Sequence, residues 1–220
     1  TFVSNHIKKD DKEYDVNIFS IIKFFYLATE NNPNVIDSLF VPENCILHIN
    51  EVGQIIRDNR KIFLHKGGMH KFVGYAYSQL DKMKRSTSKS KRYSDIETYG
   101  ISLKFATHVV RLLDQLWQIL ETGDLVLNNN KEKLKSIRRG EWTEQQIRDY
   151  FTTQEPLLRR SYETSKLPHS PDMPKIKKLL LDCLEASYGS LYCASCALNY
   201  EQVTSQENYR MIQQIKEILK

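Results

Sequence analysis

Apolar positions in this chain recur mostly three and four residues apart, the spacing of helices buried along one side. The clearest case is residues 99–120, where Leu103, Ala106, Val110 and Leu113 share one face and Leu116, Trp117 and Leu120 continue it. Lys104, His108 and Arg111 stand at i, i+4 and i+7 and share a different face. One helix is thus predicted to anchor in a core while presenting cations and an imidazole on its other side.

Similar patterns predict most of the remaining elements. Residues 5–14 are polar and read as a loop or hairpin tip between short strands, leading into an apolar helix over 18–28 that Asp15 or Asn17 would cap. Asn31-Asn32-Pro33-Asn34 ends that helix, because a residue before proline avoids the α region, and Pro33 suits the first turn of the next. Residues 45–49 read as a strand or buried connector, 51–63 and 72–83 as helices, and 125–127 as a short strand. Leu134 to Arg139 fits either a helical turn or an edge strand. Thr143 with Gln146 three positions on predicts a capping box opening a helix that passes Pro156 and reaches Tyr162. Helices over 173–188 and about 208–219 complete the pattern, so the expected fold class is mainly α.

Composition adds limits rather than a function. Forty per cent hydrophobic and 27% charged residues in a 220-residue chain suit an ordinary buried core. A net charge of +5 permits nucleotide or nucleic-acid partners without requiring them. No apolar run approaches the roughly 18 to 20 residues of a membrane span. Nothing at the start has the layout of a signal peptide. Four cysteines in a chain of this length make no disulfide scaffold, so a reducing, cytoplasmic setting is expected. Cys193-x-x-Cys196 has no second pair and no nearby histidine, which favours small apolar core residues over a metal site. The chain opens on Thr1 rather than methionine, and a fragment of a longer protein is expected.

Motifs for several common chemistries are absent: there is no Gly-rich phosphate loop ending in Lys-Ser/Thr, no His-Glu-x-x-His and no Gly-x-Ser-x-Gly. His108 alone fits a hydrogen-bonded structural histidine as well as a functional one, and Arg111 fits a salt-bridged surface residue. Lys104, however, has no acidic residue four positions away to neutralise it, and an unpaired cation on a packed helix suits an anionic ligand. Asp15 fits either a helix cap or one of several carboxylates around magnesium, an ion that needs more than one. The basic stretch from Lys82 to Arg92 fits a solvated linker or a flap over a polyanion.

A wider set of residues carries a family likeness. It comprises Asp15-Val16 with Lys23-Phe24, Asn31-Asn32-Pro33-Asn34 with Leu39-Phe40, and Arg60-Lys61-Ile62-Phe63-Leu64. It continues through Phe72-Val73-Gly74-Tyr75-Ala76 with Gln79-Leu80, Tyr99-Gly100 with Lys104, Ala106, His108 and Arg111-Leu112-Leu113, Gly140-Glu141, and Leu167-Pro168 with Pro171-Asp172. In order and spacing, over roughly residues 15–187, these resemble the predicted nucleotidyltransferases of the DNA polymerase β superfamily in bacteria and large phages, some of them associated with RNA repair or RNA ligases.

The resemblance implies transfer of a nucleoside monophosphate from a nucleoside triphosphate to an acceptor hydroxyl, plausibly on RNA, with Mg2+. It makes Asp15 the third metal carboxylate and catalytic acidic residue, and Lys104, His108 and Arg111 contacts to nucleotide or RNA phosphates, with Lys23, Lys66 and Lys166 as further candidates. It also implies two parts: residues 1–64 as the end of a nucleotidyltransferase-like α/β domain, a small remnant of the catalytic sheet, and 65–220 as a helical substrate-holding domain. The family's Gly-Ser and Asp-x-Asp elements have no counterpart before Asp15; Gly189-Ser190 lies far downstream. These residues alone are accordingly expected to be inactive and a full-length product active. The competing expectation is a catalytically inactive helical module that binds nucleic acid or a partner.

Overall fold

A computed structural model describes residues 2–9, 12–83 and 93–193. The fold is mainly α, as the periodicity predicts, with one two-stranded sheet. Strands β1 (Phe2–Lys9) and β2 (Lys12–Phe19) pair antiparallel, each eight residues long, so the polar stretch over 5–14 is mostly strand. Alternation puts Ile7 and Tyr14 on the inner face and His6, Lys8, Glu13 and Asp15 on the outer one.

Because β2 continues to Phe19, Asp15 and Asn17 cannot cap the next helix. Ser20 does so, its Oγ accepting from the Lys23 amide at 3.3 Å. Helix α1 (Ile21–Thr29) is capped by Glu30, and Asn31 just beyond it, at a φ of 50°, turns the chain sharply. The buried Asn31 amide donates to the Phe63 carbonyl at 2.6 Å, tying this corner to a segment 32 residues away. Helix α2 (Pro33–Leu39) then starts on proline as the sequence predicts, and Asn32 accepts from its first free amides.

The residues that follow depart from expectation. Residues 45–49 are neither strand nor buried: a 3-10 turn at Glu43–Cys45 leads to an extended, mostly exposed connector. Helix α3 (Glu51–Asp58) stops short of Phe63, and a 3-10 turn at Arg60–Phe63 drives Phe63 into the core.

The long helices enclose α6 (Leu103–Thr122), against which α4 (Gly68–Lys82), α7 (Lys131–Arg138) and α8 (Glu144–Thr164) all pack. Helix α5 (Tyr93–Tyr99) precedes it, and Gly123, at φ 63°, ends it in the left-handed conformation glycine adopts without strain. Leu103, Ala106, Val110, Leu113, Leu116 and Leu120 are buried as predicted, in one apolar cluster that runs from Phe25 to Cys183. Trp117 is the exception, at 45% exposure on the outer side of the helix. Residues 125–127 form no strand: the Gln118 side chain bonds both the amide and the carbonyl of Val126, supplying the partner a strand would have needed.

Helix α7 settles Leu134 to Arg138 as helical, and the capping box of Thr143 and Gln146 is present, each side chain serving the other's backbone. Helix α9 (Met173–Tyr188) packs on α1 and α3. Cys193 is exposed rather than part of a core. Cys196, residues 84–92 of the basic stretch and the helix expected over 208–219 lie outside the described residues.

Between α7 and α8, Gly140 sits at φ 76°, and a Cβ there would land inside the ring of Tyr99. Gly140→Ala therefore combines a strained backbone with a displaced ring, and is expected to cost about 1 to 2 kcal/mol, read as a lowered midpoint in urea or thermal unfolding.

Candidate functional site

Among the described residues, a winding line of positions on α6 is left uncovered by its neighbours. It runs Lys104, His108, Arg111, Asp114 and Trp117, at steps of four and three, with Lys104 and Trp117 exposed and the three between them half-buried. Each step of three turns back by about 60°, so the line winds part-way around α6 as the packing helices shift along it, and the burial of neighbouring positions fixes its side chains.

Arg111 is not left unpaired. Its Nη1 lies 3.3 Å from an oxygen of Asp37 on α2, with the two side chains 27% and 16% exposed. Burial pushes the Asp37 carboxyl up to about 6, against the opposing charge of Arg111 and a hydrogen bond from Gln115. The Arg111 Nε is buried without a hydrogen-bond partner among the described residues. A guanidinium in this setting retains donor capacity while its charge is shared with a carboxyl that titrates near neutrality.

Three residues beyond Arg111, Asp114 organises a second polar group. It accepts from the Tyr150 hydroxyl, from Lys133 Nζ at 2.9 Å and from Asn130 Nδ2 at 2.6 Å. Lys133 Nζ also donates to the Tyr150 oxygen at 3.0 Å, so α6, α7 and α8 meet in one network. Burial opposes the Lys133 charge, but its bonds to Tyr150 and Asp114 outweigh that and raise its pKa. Burial, with the bond to Asp114, pushes the Tyr150 hydroxyl up to about 12, so it remains a neutral donor.

Asp15 belongs to the hairpin rather than to a strand-to-helix junction. It stands directly opposite His6 in the register, accepts from His6 Nδ1 at 2.8 Å, and its side chain is 86% exposed. Glu13 lies on the same face, 3.8 Å from His6 Nε2. Among the described residues no group of three or more His, Cys, Asp or Glu side chains is arranged to hold a metal ion. Asp15 offers a single carboxylate, one oxygen of which accepts from His6, and by itself that does not make a magnesium site.

The remaining candidates occupy other surfaces. Lys23, on α1, lies 4.9 Å over the ring of Tyr26. Lys66 lies 5.6 Å over the ring of Tyr162, and its backbone amide donates to the Pro168 carbonyl at 2.8 Å. That bond brings its turn against the loop carrying the exposed Lys166. Helix α2 connects two of these surfaces: its Asp37 holds Arg111, while Asn32, Asn34, Val35 and Ser38 line, with Asn17 of β2, a cavity of about 620 Å³. Sequence reasoning missed Asp37 and Asp114, whose only signals were single carboxylates on apolar helices.

Among the described residues no helix is long and apolar enough to cross a membrane. Residues 5–187 match the model of a family described as the RNA repair pathway DNA polymerase beta family. Neither the curated proteins nor the solved structures yield a match.

A carboxyl raised by folding binds more protons in the native than in the unfolded state at intermediate pH, so it stabilises below about pH 4 and that contribution fades as pH rises through about 6. Unfolding midpoints of the native chain should therefore fall between pH 4 and 7 relative to Asp37→Asn, whose profile should be flatter there. Parallel profiles would remove Asp37 as the titrating group.

Proposed function

This chain belongs to the RNA repair pathway DNA polymerase β family, and from that membership we propose that it serves a nucleotidyltransferase that moves a nucleoside monophosphate from a nucleoside triphosphate to an acceptor hydroxyl on RNA, with Mg2+. The acceptor oxygen forms a bond to the α-phosphorus as the bond to the bridging oxygen of the β-phosphate breaks. Pyrophosphate leaves, and the hydroxyl proton passes to a base. Catalysis of this kind consists mainly of positioning and charge neutralisation.

The observation that supports the reading is the stripe on α6. Lys104 supplies an exposed ammonium in the first turn, and Arg111 a guanidinium one face-length on, held by Asp37. A phosphate oxygen meeting Arg111 would compete with a carboxyl whose charge burial already disfavours. His108 stands between them, and Lys23, Lys66 and Lys166 are assigned to outlying phosphates.

Divalent ions neutralise the triphosphate in enzymes of this superfamily; here Asp15 is assigned as one ligand among several. His6 would orient that carboxylate by its hydrogen bond. The chemistry assigned to these residues is binding and orientation.

Two measurements test the reading. In the full-length gene product, Asp15→Ala should reduce Mg2+-dependent incorporation of labelled nucleotide into RNA by at least about a hundred-fold; undiminished incorporation would refute the metal assignment. Lys104→Ala should weaken RNA binding at every sequence tested and lower the slope of log affinity against log salt by about one. An RNA-binding protein that shows no incorporation under any metal would instead be the non-catalytic module.

A further inference from the structure

The α6 stripe leads into a pocket that no step above uses. It opens between α6, α7 and α8, has a volume of about 790 Å³, and lies along Asp114 and Trp117. From Arg111 to Trp117 the helix rises about 9 Å.

The walls of this pocket differ sharply. Its apolar lining includes Trp117, Val126 and Leu157, which are 45%, 59% and 46% exposed, and so includes a flat ring. The floor is the network of Asp114, Lys133 and Tyr150, whose charges neutralise each other. Amides line it as well, among them Gln115, Asn128 and Gln154. Gln115 is 5% exposed; its amide nitrogen is engaged by Asp37, and its buried Oε1, the acceptor it has left, has no hydrogen-bond partner among the described residues.

Those properties select the ligand. For a phosphate the floor offers only Lys133, already held by Asp114 and Tyr150, while the pocket's other cation, Lys131, stands exposed beside the carboxylate of Glu132. An apolar helix would cover amides and a carboxylate without satisfying them. A flat, neutral group with donors and acceptors on its rim meets both demands: its face stacks on an aromatic ring and its edge pairs with amides. We propose that the pocket between α6, α7 and α8 receives an unpaired nucleobase, stacked on Trp117 and read at its edge by the Gln115, Asn128 and Gln154 amides. This rests on the nucleotidyltransferase reading, in which Arg111 and, further up α6, Lys104 hold phosphate, and adds a base site beyond the Arg111 end of that backbone track.

The base could come from the RNA strand or from the nucleoside triphosphate, and the probes separate the two. Full-length protein is titrated with a single-stranded oligoribonucleotide and separately with ATP and UTP, for the native chain, Trp117→Ala, Trp117→Phe and Lys104→Ala. Trp117 is half-exposed, so its variants should keep native unfolding midpoints. The expected result is about a ten-fold loss of affinity for one probe class in Trp117→Ala, at unchanged salt slope, and recovery to within about two-fold in Trp117→Phe. Loss for the oligonucleotide alone makes the base that of the RNA strand, and loss for ATP or UTP alone makes it that of the nucleotide. A 4-thiouridine-substituted oligonucleotide or 4-thio-UTP should then photo-crosslink to the peptide carrying Trp117. Unchanged affinities in Trp117→Ala alongside a weakened Lys104→Ala would overturn the base site and leave the phosphate reading standing. Absence of binding by either probe would overturn both.

Discussion

Burial of α6 is the constraint on which the rest depends. Twelve of its twenty residues are buried, including polar Thr107, Gln115 and Gln118, so the helix exists in this position only because α4, α7 and α8 close around it. Each fully buried Leu, Ile or Val contributes on the order of 2 kcal/mol relative to exposure, which makes the helix the main source of cohesion. The same enclosure dictates where chemistry can sit. With the packed positions excluded, charge on α6 is confined to a winding line, and its cationic, carboxylate and aromatic positions follow from that geometry.

Polar groups beside this core act as alignment devices. Asp114 receives donors from α7 and α8 at once, so a slip of either helix against α6 would leave a half-buried carboxylate short of partners. Asp37 acts similarly for α2, at greater cost, because its carboxyl is displaced toward the neutral form by burial. Such pairs contribute less to stability than to fixing one arrangement, since desolvation consumes much of the Coulomb attraction.

What the sequence makes legible is what local pattern encodes. Asn32-Pro33 and the Thr143–Gln146 box specify helix starts through nearby backbone groups, and the apolar face of α6 through spacing alone. Pairings across distance are not encoded that way. Nothing near Arg111 announces Asp37, 74 positions earlier, nor does Asp114 announce Tyr150, 36 positions later. Trp117 fits the apolar pattern of α6 yet faces out, because periodicity orders positions around a helix without fixing where the packed arc ends. Residues 125–127 looked like a strand for want of any visible alternative to a ladder; a single Gln118 amide provides one. At the hairpin, the capping role went to Ser20 because the strand runs further than its polar residues suggest, and Asp15 thereby came to stand opposite His6.

The amide of Asn31 closes the chain between itself and Phe63 into a loop. Within that loop α3 has no fully buried residue, and the connector before it is largely exposed, whereas Phe63 and Leu64 at its end are almost wholly buried. Hydrogen exchange would accordingly divide the region in two: amides of α3 open through a low-energy local fluctuation, while those held at the Asn31 corner exchange only with the core. A substitution that loosens α3 would thus cost global stability no more than the small free energy of that local opening, whereas one that removes the Asn31 side chain would leave the Phe63 carbonyl without its donor and draw on the stability of the whole molecule.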